Sequence, residues 1–253
     1  MRKYGESGPW VVVLHGGPGG AGNAAPIARG LADSFRVLEP WQRGGGGESL
    51  TVARHVADLD KLIRARCGGE KPALVGESWG AMLALAYAAE HPGTAGPLVL
   101  IGCGTFDPAA RALMRQIIHE RLGDDGRRRM ERLEEDFADP DERLREQYRL
   151  VHPVFDYDPV DEDEDEGDAG TFDVRAHTET WTDMLRMQEA GTYPAAFAAV
   201  TSAVLMLHGT YDPHPGRMVR DGLRPFLPQI EYREWERCGH SPWHERHVRE
   251  EFF

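Results

Sequence analysis

Six short apolar runs punctuate the chain at helix-length intervals, and this spacing constrains the fold more than any other feature. They begin at Trp10, Phe35, Ala73, Leu98, Val204 and Ile230, and most are near-continuous in Val, Ile and Leu with Gly or Pro at their ends. Such runs are typical of strands buried on both faces of a parallel sheet. Helical patterns fill the intervals at residues 23–33, 52–66, 79–90 and 214–226. The alternation predicts βαβ units in one open, twisted, mostly parallel sheet of about six strands flanked by helices, an α/β fold.

The rhythm breaks once. Residues 103–199 contain helix-like pieces, such as Leu113 with Ile117 and Leu144 with Tyr148, but no strand-like run. An insertion of this kind between two strands reads as a helical cap or lid over the strand ends. The expected organisation is a core of residues 1–102 and 200–253 with a cap of residues 103–199. Within the cap, residues 156–168 hold nine acidic and no basic side chains, nine of the thirteen net negative charges of the 253-residue chain. With nothing apolar in its central run, this stretch reads as a solvated loop. It lacks the sixth-position Gly and the ligand spacing of an EF-hand calcium loop.

Charge and composition exclude several classes of function. A net charge of -13 argues against nucleic acid as a partner. No apolar run approaches the roughly 18 residues of a membrane span, and residues 1–9 carry no secretory signal. Cys67, Cys103 and Cys238 do not make a disulfide framework, so the expected location is the cytoplasm.

Gly76-Glu77-Ser78-Trp79-Gly80 follows a predicted strand and opens a predicted helix. That is the setting of a G-x-S-x-G nucleophile elbow, whose tight turn lifts the serine hydroxyl above the sheet edge. A serine nucleophile needs a base, and the base needs an orienting acid. Asp212 follows the fifth run and His240 the sixth, which gives the chain order Ser, acid, His of this fold. His15-Gly16-Gly17-Pro18-Gly19-Gly20 follows the first run, and the N–H groups of Gly17 and Trp79 are the expected oxyanion donors. The glycine loop lacks the G-x-G-x-x-G spacing of a nucleotide site. His244-Glu245-Arg246-His247 is one residue short of H-E-x-x-H, so no metal is assigned to His240, His244 and His247. Trp181, Met184 and Leu185, on an expected cap helix, are candidates for the substrate pocket.

Taken together, H-G-G-P-G, G-x-S-W-G, H-G-x-x-D and G-H resemble the α/β-hydrolase superfamily, and within it the cap-bearing proline iminopeptidases. The resemblance implies the α/β-hydrolase fold, no cofactor and a small-molecule or short-peptide substrate. It further implies that the cap supplies acids for a substrate ammonium, for which Glu179, Asp183 and Glu189 are available. The chain departs from that family at Trp41, where an Asp is usual, and at Glu77, where a Gly is usual. The short segments before Trp10 and after His240 point to a trimmed version of the fold. The resulting expectation is a serine hydrolase of a small carboxylic ester. Release of an N-terminal residue from short peptides and a catalytically weak ligand sensor stand as alternatives, and oligomeric state is left open.

Overall fold

The computed structural model describes residues 1–160 and 172–253. Seven strands form one sheet: β1 (Arg2–Tyr4), β2 (Trp10–Leu14), β3 (Arg36–Glu39), β4 (Ala73–Glu77), β5 (Leu98–Ile101), β6 (Val204–Gly209) and β7 (Ile230–Trp235). Their order is β1-β3-β2-β4-β5-β6-β7. All neighbours are parallel except β1, which runs antiparallel to β3.

The expected six strands are therefore seven. Arg2-Lys3-Tyr4 has no apolar run to announce a strand. It is held by pairing with β3 and by Glu39, which is fully buried and accepts the Tyr4 hydroxyl at 2.9 Å with Arg2 at 3.6 Å.

Successive strand residues feed opposite faces of the sheet, as the two-residue period requires. Val12, Leu14, Leu38, Leu74, Leu98, Leu100 and Met206 join one core cluster. Val11, Val13, Val37, Val75, Ile101 and Leu207 join the other. On the first face lie α2 (Val52–Arg66) and α3 (Trp79–Glu90), both with the limits expected from sequence. Thr51 caps α2 by accepting the Arg54 N–H, and Val52, Val56, Leu59 and Ile63 form its buried stripe. In α3 every residue from Trp79 to Ala88 is buried, so only its last two residues reach solvent. The second face is covered by α1 (Ala25–Gly30) and by residues near the C-terminus, including Trp243 and Val248.

Between β5 and β6, the described residues include four α-helices: α4 (Pro108–Arg121), α5 (Gly123–Asp136), α6 (Pro140–Val151) and α7 (Val174–Glu189). Asp107, Asp139 and Asp173 cap α4, α6 and α7. The last of these helices is bolted to α2. Glu179 accepts the Leu50 N–H at 2.7 Å, Asp183 accepts the Val52 N–H at 2.8 Å, and Thr180 meets His55 at 2.9 Å. The outer helices bury little: only Leu133 in α5 and nothing in α6. The chain closes with α8 (Gly216–Leu223) and a single-turn α9 (Arg249–Phe252).

Most of the acidic run expected to be a free loop lies outside the described residues. Its first five residues are not free. Pro159 bridges Glu245, and the Tyr157 and Asp158 N–H groups donate to the buried Glu245 carboxylate at 2.6 and 2.8 Å. Apolar content is a poor guide here because the attachment is made by backbone donors.

Candidate active site

The turn from β4 into α3 holds Ser78 at φ 54°, ψ -114°, a conformation that non-glycine residues adopt only when their surroundings impose it. Both flanking glycines are needed for it. A Cβ on Gly76 would lie 2.3 Å from the Gly80 carbonyl, and one on Gly80 would lie 2.1 Å from the Leu14 oxygen. Ser78 thus stands at the C-terminal edge of the sheet and at the first turn of α3, whose leading N–H groups have no partner within the helix.

Two further strand ends meet it. Asp212 follows β6 and His240 follows β7, and His240 Nδ1 is 2.7 Å from Asp212 Oδ2. Ser78 and His240 line the same cavity, about 950 Å³ as outlined by the described residues, together with Gly17, Glu77, Trp79, Tyr148, Phe155, Asp156, Trp181 and His214. Of the three expected pocket residues, Trp181 lines this cavity. Met184 and Leu185 are not among the lining residues. Met184 is fully buried in the main core on a helix bolted to α2, and Leu185 is half-buried outside the cavity.

Asp212 is buried and serves three imidazoles. Oδ2 faces His240 Nδ1 and, at 3.1 Å, His208 Nε2, while Oδ1 accepts from the backbone and the ring of His214 at 2.9 Å each. Burial would raise the Asp212 pKa, but His240, His214 and His208 outweigh it and hold the group well below the usual carboxylate range. A carboxylate only accepts, so each ring nitrogen facing it carries a proton. For His240 this fixes the tautomer, leaving Nε2 toward the cavity. Burial would lower the His240 pKa, yet Asp212, Glu77 and Asp156 push it up to about 9.

His214 stacks on His240 with ring centroids 4.9 Å apart. Asp212, His214 and His240 are the metal-compatible group among the described residues, but their facing nitrogens are committed to hydrogen bonds. His247 is directed to Asp158 and Arg237, and does not join His240.

The loop after β2 is braced from below. His15 Nε2 accepts the Gln42 N–H, the Gln42 amide donates to the His15 carbonyl, and Gln42 accepts the Trp79 indole N–H at 2.7 Å. Gln42 thereby ties the glycine loop to the elbow, a role for the Trp41-Gln42-Arg43 stretch that composition alone does not show. The His240 loop is zipped to residues 155–158. His240 N–H donates to Phe155 O, Ser241 N–H to Asp156, and Gly239 N–H to Glu245 at 2.6 Å. Asp156, Tyr148 and His214 carry no motif that would have singled them out. The cap acids suggested by resemblance are used otherwise: Glu179 and Asp183 cap the start of α2, and Glu189 is exposed.

Comparison with known proteins decides the family. Residues 9–246 match the family described as alpha/beta hydrolase fold. The chain belongs to that family. Among curated relatives, this α/β hydrolase is 40% identical over 119 residues to a probable proline iminopeptidase of Streptomyces coelicolor, covering 41% of this chain and 36% of that one. It is 38% identical over 115 residues to a proline iminopeptidase of Neisseria gonorrhoeae, covering 42% and 36%. The matched stretches thus span about a third of those relatives. Among solved structures, VinJ superposes with a TM-score of 0.76 at 20% identity, covering 98% of this chain and 90% of that one. A thermophilic esterase from Thermogutta terrifontis gives 0.63 at 19% identity, covering 98% and 88%. No helix among the described residues is long and apolar enough to cross a membrane.

Proposed function

We propose that this α/β hydrolase cleaves acyl substrates through a covalent intermediate on Ser78, with His240 as base and Asp212 as its orienting acid. The observation that carries the reading is the buried His240–Asp212 hydrogen bond of 2.7 Å, with His240 lining the same cavity as Ser78. In this scheme Ser78 Oγ attacks the carbonyl carbon while its proton passes to His240 Nε2. The N–H groups of Gly17 and Trp79 hold the oxyanion, and His240 returns the proton to the leaving group. Water, activated by the same imidazole, then releases the acid. Helices α4–α7, read as a cap of residues 103–199, roof the cavity through Met114, Tyr148 and Trp181.

The first substrate reading is a carboxylic ester. It is supported by the commitment of Glu179 and Asp183 to α2, which removes them as ammonium ligands. The second reading is release of an N-terminal residue from short peptides, favoured by the curated relatives named proline iminopeptidases. Fluorophosphonate labelling tests the chemistry: wild type labels and Ser78→Ala does not, and equal labelling would end the assignment. A panel of p-nitrophenyl esters beside prolyl and alanyl anilides separates the substrates, and a clear anilide preference reverses the order.

A further inference from the structure

Glu77, between the elbow glycine and Ser78, has no part in the scheme above. Its carboxyl lies in the cavity wall, with Oε1 3.6 Å from His240 Nε2 and a side chain only 13% exposed. That nitrogen is the one required to receive the Ser78 proton, because Nδ1 is committed to Asp212. The carboxyl is fixed on its other side by the glycine loop. A Cβ on Gly16 would fall 2.3 Å from Glu77 Oε2, and the Gly16 backbone bonds to the carboxyl. His240 is thus flanked by a carboxyl group at each ring nitrogen.

The remaining neighbours do not offset this. Asp156 adds a third acid, and Asp212 is shared with His208 and His214. Burial holds the His214 pKa down despite Asp212, so this ring does not bring a countering charge at neutral pH. Burial pushes the Tyr148 phenol up to about 12 and the Cys103 thiol higher, so both stay neutral. Arg121, stacked over Tyr211, is a cation whose influence reaches Asp212.

We propose that Glu77 is a positioning residue that holds a proton at His240 Nε2 in the resting site, so that Ser78 is activated only after that proton has left to solvent. The pair titrates as a unit. Burial pushes the Glu77 carboxyl up while His240 pulls it down; with the shared proton on the imidazole, the Nε2 lone pair is closed to Ser78. Once it has left, the Ser78 proton moves to Nε2 as the Oγ–carbon bond forms, and Glu77 then stabilises the imidazolium. The residue therefore suppresses attack at low pH and favours it at high pH. This inference rests on the reading of Ser78 as nucleophile and His240 as base.

The experiment is the rate of Ser78 phosphonylation by diisopropyl fluorophosphate, an uncharged probe, as a function of pH. In wild type the rate is expected to rise along a limb centred above neutral pH. In Glu77→Gln the limb moves down by about 1–3 pH units, the usual effect of one charge at this distance. A one-unit shift makes the variant about tenfold faster on the acid side. In Glu77→Asp, where the carboxylate retreats by one methylene, the limb moves the same way by less. A limb unmoved in Glu77→Gln, or in Glu77→Asp should the first variant not fold, overturns the proposal. So does a Glu77→Gln protein slower at every pH. Equal labelling of Ser78→Ala is a separate result that would remove the underlying reading instead.

Discussion

Glu245 offers a sharp test of how the His240 loop is held. This carboxylate is fully buried and accepts three backbone N–H groups: Tyr157 and Gly239 on Oε1 at 2.6 Å each, and Asp158 on Oε2 at 2.8 Å. It clamps the residue before His240 to the segment leading into the acidic run. A hydrogen bond to a charged group contributes about 1.5–3 kcal/mol net. Glu245→Gln keeps one oxygen but sets an amide N–H₂ against one of the three donors, and should cost about 2–3 kcal/mol. Glu245→Ala strands all three donors; because they share one carboxylate their costs do not simply add, and a loss of roughly 5 kcal/mol is expected. At about 2–4 °C per kcal/mol for a chain of this size, Glu245→Gln should melt about 4–12 °C lower. Differential scanning calorimetry measures this, and the Ser78 labelling rate should fall with it as the loop slackens. A Glu245→Gln protein melting within about 2 °C of wild type would refute the clamp.

Two other outcomes follow from the site and the core. Stability should be highest near pH 6.5, the ordinary histidine value, and fall on both sides. On the acid side, burial holds His15 and His55 down to about 4, so the unfolded chain binds more protons between 6.5 and 4 and stability is lost as pH falls. On the alkaline side, His240 sits at about 9, so its contribution is complete below 6.5 and is lost as pH rises through 9. Melting temperature measured from pH 4 to 10 checks both limbs, and a flat alkaline side would contradict the His240 environment. Gly102, at φ 54°, faces His240: a Cβ there would lie 2.8 Å from the ring at Nδ1. Gly102→Ala should displace the imidazole and slow Ser78 labelling by roughly 10²-fold, the scale of an ångström misplacement. A rate unchanged within twofold would show that the ring has room to spare.

What the sequence disclosed and what it withheld divide along physical lines. The β2, β4, β5 and β6 strands were legible because strands buried on both faces must be apolar throughout, and α2 because its apolar stripe is a local signal. Ser78, Asp212 and His240 were legible because each follows a strand, and parallel strands deliver their ends to one rim. β1 was not, since its hold comes from Glu39, more than thirty residues away. Nor was the use of Glu179 and Asp183, whose partners Leu50 and Val52 lie about 130 residues off. Met184 shows the limit of helical spacing: it marks a buried face without saying whether core or cavity lies opposite. Glu77 was visible only as a departure from a family pattern, and its meaning needed the 3.6 Å separation from His240.

The contrast between α3 and the helices above it has a consequence for the kinds of molecule the site accommodates. Ser78 is rooted in a helix buried from Trp79 to Ala88, while α6 holds no fully buried residue and α5 only Leu133. Little apolar area ties these two helices down, so reshaping them costs little. Under the proposed chemistry, a bulkier guest would be admitted by yielding of α6, and the Ser78 oxygen would keep its bearing.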